Sequence, residues 1–198
     1  MGKVVTAEEQ LRADMWNVAY TAIHEHRAWQ NQAELAEILY LVALDGPSTV
    51  VEIGCAWGGT LHAWRALPTR PDVFGVTMRH YGFPPNREGI VVLEGDSHDR
   101  STLQRLTDQL GNRPVDVLFI DGDHTLDGAM ADWHMYGPLV RAGGLVLLHD
   151  IECGGIPEVR TAWERIAAEV ETSGGTTTEI VAKAGKPLGF GIVRMAGE

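Results

Sequence analysis

The 198-residue chain has only two cysteines, Cys55 and Cys153, too few for the disulfide framework on which small secreted domains rely. Runs of lysine and arginine are missing, and 16 basic residues face 27 acidic ones, a formal net charge of -11. A surface that binds a phosphate backbone is basic, so this balance argues against a nucleic-acid partner. No apolar run is long enough to span a bilayer, and the first residues do not resemble a secretory signal. Met1-Gly2-Lys3-Val4-Val5-Thr6 matches a myristoylation pattern, but a loose one that recurs by chance. Internal repeats, low-complexity tracts and linkers are also lacking. These absences predict a cytoplasmic protein without a membrane partner, its two thiols reduced, in one domain with a full-sized core.

The stretch that organises the chain is Val50-Val51-Glu52-Ile53-Gly54-Cys55-Ala56-Trp57-Gly58-Gly59-Thr60. Thr49, Val50, Val51 and Ile53 read as a short strand buried on both faces. Glu52 stands near its end, a glycine-rich turn follows, and Thr60 to Leu67 has helical spacing. Strand, turn and helix in this order make a nucleotide site. Gly54 lets the backbone turn sharply and approach a ligand, and the helix start offers unpaired N–H groups. The spacing is Glu-x-Gly-x-x-x-Gly-Gly, without the G-x-G pair that seats a dinucleotide pyrophosphate. A tight turn with no ligand is the plainer alternative.

Upstream, Thr6 and Glu9 form a capping box for a helix from Ala7 to Ala28. A second helix spans Gln30 to Leu44, and Asp45-Gly46-Pro47 stops it. These N-terminal helices (residues 1–46) are expected to pack on the sheet, with a lid or a homodimer contact as alternatives. Trp16, Tyr20, Trp29 and Tyr40 are assigned to the core. In residues 47–198, strand signals at Val73–Thr77, Ile90–Glu94, Val115–Ile120 and Gly144–Leu148 alternate with helices at Ser101–Leu110, Leu126–Tyr136 and Glu158–Val170. The closing runs Thr177–Ala182 and Phe190–Arg194 are too close for a crossover helix and form an antiparallel hairpin. The predicted fold is α/β, a doubly wound, mostly parallel seven-stranded sheet ending in that hairpin.

Ligands in such sheets bind outside the carboxyl ends of the strands. Glu52 stands at the first of these ends, Gly95-Asp96-Ser97 after the third strand, Asp121-Gly122-Asp123-His124 after the fourth and His149-Asp150 after the fifth. Acid or imidazole groups at four strand ends converge on one cleft. Each also has a bland reading: Asp96 can begin a turn or cap a helix, and His124 can cap the next helix. The remaining histidines, His24, His26, His62, His80, His98 and His134, show no partner pattern.

Val50–Thr60, Gly95–Ser97, Phe119–His124 and Leu139–Ile151 together resemble the class I S-adenosylmethionine-dependent methyltransferases (Rossmann-like). The resemblance is to the group of cephalosporin-hydroxylase-like proteins and small-molecule O-methyltransferases. It implies that Glu52, Gly54, Gly58 and Gly59 surround the methionine and ribose parts of the cofactor and that Asp96 and Ser97 contact adenine. Asp121 falls where metal-dependent relatives hold a divalent ion, with an Asp-Asn or Asp-Asp pair completing the site. Here His149 and Asp150 occupy the place of that pair, so the candidate metal set is Asp121, His149 and Asp150. Carboxylates alone suit Mg²⁺, whereas an imidazole favours Mn²⁺, Fe²⁺ or Zn²⁺. His124 stands where those relatives place a catalytic lysine, and imidazole titrates near neutrality, so it is the candidate base with Asp121 beside it.

One departure stands out. Thr77 occupies the position of the acid that binds both ribose hydroxyls in relatives, and a threonine cannot accept two hydrogen bonds as a carboxylate does. Thr77-Met78-Arg79 also suits a 2′-phosphate, which raises an NADP-dependent oxidoreductase as the rival class. A non-catalytic cofactor-binding protein of the same fold is the third. The aromatic connection Arg79–Arg87 is a candidate border of the acceptor pocket. The leading expectation is methyl transfer from S-adenosylmethionine to a hydroxyl of a small-molecule acceptor, as in natural-product tailoring.

Overall fold

In the computed structural model, which describes residues 5–79, 81, 86–111, 113–183 and 185–197, the strand signals assemble into one sheet. Its strands are β1 (Thr49–Ile53), β2 (Asp72–Thr77), β3 (Asn86–Arg87), β4 (Ile90–Glu94), β5 (Val115–Ile120), β6 (Val140–His149), β7 (Thr176–Ile180) and β8 (Phe190–Arg194). The spatial order is β3-β4-β2-β1-β5-β6-β8-β7. Strands β4, β2, β1, β5 and β6 are parallel, which brings their carboxyl ends to one edge. The chain winds outward in both directions from β1 and β5, so the crevice between them is the topological switch point where ligands bind in open α/β sheets. The closing pair β7–β8 is antiparallel, with β8 inserted against β6. Beyond the seven expected strands, the two-residue β3 pairs antiparallel with β4 at the sheet edge.

Helices cover both faces. On one, α1 (Ala7–His24), α2 (Gln32–Asp45) and α3 (Gly59–Arg65) bury Leu35, Ile38, Leu39 and Trp64 against Val50, Val73, Val117, Phe119 and Leu147. On the other, α4 (Arg100–Leu110), α5 (Leu126–Tyr136) and α6 (Pro157–Thr172) bury Leu106, Tyr136, Trp163 and Ile166 against Val51, Phe74, Leu118, Val146 and Val193. Residues of one parity along each strand therefore face α1–α3 and those of the other face α4–α6, which is why the parallel strands read as continuous apolar runs.

The capping box at Thr6 and Glu9 is formed in both directions, and Gly46 ends α2 in the left-handed conformation, φ 62°. Two expectations change. α1 stops at His24, four residues before the expected Ala28, because Arg27 turns left-handed (φ 61°) and the Ala28 N–H folds back to the Ala22 carbonyl. Residues 25–31 therefore form a connection rather than a last helical turn. Of the four aromatics assigned to the core, only Tyr40 is buried; Trp16 and Tyr20 are about half exposed and Trp29 is 70% exposed. Trp16 and Tyr20 are exposed because α1 packs on α2 and α3 and turns only Met15, Ala19 and Ala22 inward, and Trp29 lies in the connection that follows α1. No helix among the described residues is long and apolar enough to cross a membrane. The myristoylation-like start falls on residues 1–6, of which 1–4 lie outside the described residues, as do His80 and residues 82–85 of the Arg79–Arg87 connection.

Candidate active site

The carboxyl ends of β1, β2, β4, β5 and β6 open into a cavity of about 560 Å³. Gly54, Gly59, Thr77, Asp96, Ser97, Asp121, His124, His149 and Asp150 all line it. Of the expected site residues, Glu52 and Gly58 do not.

Gly54 is required by close approach. Its φ is 90°, and any Cβ there would collide with the Asp121 carbonyl, so β1 and β5 can run this close only with glycine at the crossing. Gly58 instead serves as the left-handed N-cap of α3, φ 77°. Gly59 lets the backbone of Ala28 lie against the start of α3, and this contact carries the 25–31 connection over the cavity. Arg27, Ala28, Trp29 and Gln30 consequently form one wall. Nothing in the local sequence marks them, because their role depends on where the end of α1 is carried.

Glu52 corrects the expectation for the first strand end. Its side chain points to the α3 face and is fully buried. One carboxylate oxygen accepts from the Thr60 hydroxyl at 2.5 Å and the other from the Trp64 indole N–H at 2.7 Å. Burial pushes its carboxyl up to about 8 against those two hydrogen bonds, with the Asp121 charge adding to the rise. Glu52 therefore ties the β1 end to α3 and does not line the cavity.

Asp121 lies just past the end of β5, with its side chain in the cavity. One oxygen accepts from Gln30 Nε2 at 2.9 Å and the other lies 3.1 Å from His149 Nδ1. His124 Nε2 sits 3.5 Å from Asp121 and 3.0 Å from Asp150, close contacts that are not aligned as hydrogen bonds. Asp121 is half-buried, and the loss of water alone would raise its pKa, but His149 and His124 outweigh that and hold the carboxyl below its usual range. The same carboxylates, Asp121 first and then Asp150, lift His124 to about 10. Burial disfavours a charged His149, yet Asp121, Asp150 and Glu34 more than offset it, and its pKa is also raised.

The expected metal set changes in one member. Asp121, His124 and Asp150 present donor atoms within 4.8 Å of one another. His149 is 2% exposed and packed against Phe190 at 4.6 Å and Phe119 at 6.1 Å between ring centroids. It shares the parity of Leu145 and Leu147, so strand alternation turns it toward the α1–α3 layer and behind Asp121. Two carboxylates and an imidazole form a donor set suited to a divalent cation. The buried oxygens Asp150 Oδ1 and Gln30 Oε1 have no hydrogen-bond partner among the described residues, which fits a group held here. Asp150 also occupies the left-handed region, φ 62°, a strain that clusters at functional sites.

At the other end of the cavity, Asp96 is partly used by its own loop, since Oδ1 accepts from the His98 N–H at 2.9 Å. The Ser97 carbonyl accepts from the Tyr136 hydroxyl at 2.7 Å. Asp132, fully buried on α5, lies 3.5 Å from His98 Nε2, and burial raises its carboxyl to about 6. His98 thus belongs to the cavity wall, which its sequence context did not signal. Thr77 donates from its hydroxyl to the Arg79 carbonyl at 3.2 Å. Cys55 and Cys153 are both free thiols and both line the cavity.

This geometry can be set beside known proteins. Demethylmacrocin O-methyltransferase of Streptomyces fradiae is 28% identical over 109 residues, covering 52% of this chain and 27% of that protein. The chain thus spans about a quarter of the length of these curated relatives. The structure of the mycinamycin-pathway methyltransferase MycE, in complex with Mg, S-adenosylhomocysteine and mycinamycin VI, superposes with a TM-score of 0.70 at 16% identity, covering 93% of this chain and 55% of that one. The O-methyltransferase TomG of Streptomyces achromogenes, in complex with S-adenosylmethionine, superposes at 0.66 with 21% identity, covering 93% and 90%. Both likenesses concern the fold. The family model described as a methyltransferase domain matches residues 12–151, and with its strand order and glycine turn the chain belongs to that methyltransferase family, on the class I fold.

Proposed function

We propose that the protein transfers a methyl group from S-adenosylmethionine to a hydroxyl of a small-molecule acceptor. The observation that carries this reading is the Asp121–His124–Asp150 cluster inside a cavity of about 560 Å³ at the switch point of a methyltransferase sheet. The O-methyltransferases among its relatives support the same acceptor group. When bound, the cofactor supplies an electrophilic methyl group, and a divalent cation supplies Lewis-acid activation of the acceptor hydroxyl.

In this reading the Gly54 turn, Thr77 and the Asp96–Ser97 loop hold the cofactor along the strand ends, with Glu52 bracing the turn from within the core. Asp121, His124 and Asp150 hold the cation. The carboxylates of Asp121 and Asp150 raise the pKa of His124 to about 10, so as a ligand to a cation it would have to give up a proton. His149 and Gln30 orient the two Asp121 oxygens. Thr77 keeps its hydroxyl on the Arg79 carbonyl, and Glu-x-Gly replaces G-x-G, so the oxidoreductase alternative has no support in this site. Two free thiols at the cavity fit a reducing cytoplasm.

Calorimetric titration with S-adenosylhomocysteine and with NADPH, each with and without Mg²⁺ or Mn²⁺, tests the reading. Micromolar binding of S-adenosylhomocysteine and none of NADPH is the expected result. NADPH binding alone would overturn it.

A further inference from the structure

On one flank of the cavity mouth two aromatic rings lie between two cations. The Arg27 guanidinium lies 4.7 Å from the centre of the Trp57 ring, Trp57 lies 5.3 Å from Tyr81, and the Arg79 guanidinium lies 5.7 Å from the Tyr81 ring. All four line the cavity. Arg27 is held in place by its left-handed backbone and by the packing of Ala28 on Gly59. A guanidinium stacked on a ring uses its flat face and keeps its in-plane N–H edge free to grip a planar oxyanion.

Arg12, Arg113, Arg141, Arg160 and Arg194 each pair with a carboxylate. Arg65 and Arg105 donate to backbone carbonyls, whereas Arg27 and Arg79, the described arginines that line this cavity, have only their rings. In a chain with a formal net charge of -11, two arginines without a carboxylate at one cavity are poised for an anion brought by a ligand. The same cavity carries the Asp96, Asp121 and Asp150 carboxylates, so this flank differs in charge from the rest of the lining and is the one that favours an anion.

We propose that this flank is an anion subsite for the acceptor, which is a ring-bearing small molecule with a carboxylate or phosphate. The ring lies against Trp57 and Tyr81, the oxyanion meets Arg27 and Arg79, and the hydroxyl is left for the Asp121–His124–Asp150 end. This rests on the methyl-transfer reading above. The other source of such an anion is the carboxylate of the cofactor's own amino acid, which the test must separate.

The test uses protein saturated with S-adenosylhomocysteine, titrated with phenyl phosphate, benzoate and benzyl alcohol, in wild type, Arg27→Gln, Arg79→Gln and the double variant. Circular dichroism checks that each variant is folded. Phenyl phosphate and benzoate are expected to bind at least about tenfold more tightly than benzyl alcohol, an advantage lost in the double variant. Equal binding of all three probes, or of none, overturns the subsite. S-adenosylhomocysteine and 5′-methylthioadenosine, which lacks the amino acid, are then compared across the same variants. Unchanged affinity for both supports the acceptor assignment. A loss confined to S-adenosylhomocysteine overturns it by assigning the arginines to the cofactor. Failure of wild type to bind S-adenosylhomocysteine at all removes the methyl-transfer reading itself, an outcome distinct from failure of the anion probes.

Discussion

Glu52 and Asp121 look alike in the sequence, each an acid at the carboxyl end of an apolar strand, and their strands are hydrogen-bonded neighbours in register from Val50–Val117 to Ile53–Ile120. Their environments are nonetheless opposite. Glu52 is still within β1, so pleat alternation commits it to the face under α3, where only a hydroxyl and an indole N–H meet it. Asp121 is one residue past β5 and free of the pleat, and it meets two imidazoles and an amide. Burial dominates the first carboxyl and raises its pKa, while neighbouring cations dominate the second and lower it. Glu52 pairs in register with Phe119, so Asp121 lies two positions further along, and those two positions separate an acid held in the core from one that faces the cavity.

The contrast is broken most severely at Asp121. Asp121→Asn removes the charge that gathers both histidines and should lower kcat/KM on the order of 10²–10⁴-fold. NMR titration of the metal-free variant should also show the His124 pKa falling from about 10 toward an ordinary imidazole value. An unchanged His124 would mean that Asp150 alone sets it.

His149→Phe keeps an aromatic ring against Phe119 and Phe190 but removes the contact to Asp121. Affinity for Mn²⁺ or Mg²⁺, measured calorimetrically, should fall roughly 10–100-fold. A loss far beyond that range would make His149 a ligand.

Glu52 should respond in stability rather than chemistry. A carboxyl with a folded pKa of about 8, above its ordinary value of 4.5, binds its proton more tightly in the fold. Its contribution is full below pH 4.5 and declines as pH rises through about 8, by at most about 1.4 kcal/mol per pH unit. Glu52→Gln should flatten that decline in denaturant melts at pH 5 and pH 8 and leave kcat within about tenfold of wild type. An undiminished pH slope in the variant would assign the decline to other groups, His124 first among them. The smallest effect belongs to Thr77→Val, which deletes the hydrogen bond to the Arg79 carbonyl and should weaken S-adenosylhomocysteine binding less than about tenfold.

Much of the architecture is legible in the chain because its signals are local. The apolar runs at Val115–Ile120 and Phe190–Arg194, the α5 span Leu126–Tyr136, the capping box at Thr6 and the stop at Gly46 all recur in the structure at those residues. The convergence of Asp96, Asp121, His124 and Asp150 on one cavity follows from a single rule, that parallel strands end on the same edge. Other parts of the site are not local. Arg27 to Gln30 read as the tail of a helix, and they become a cavity wall only because Ala28 packs on Gly59, in a different element. His98 shows no pattern in sequence because its partner, Asp132, lies on another helix.

Periodicity and turn chemistry act over a few residues, and they suffice to specify a parallel sheet with helices on both faces, a cleft at its strand ends and the acids and imidazoles around that cleft. Which of those groups face each other was set by the packing of the folded chain. It turned Glu52 inward, set His149 behind Asp121, moved His124 into the donor set and left Arg27 and Arg79 on their rings. Those outcomes depend on pleat parity at strand ends and on long-range packing, where a shift of one residue reverses the direction of a side chain.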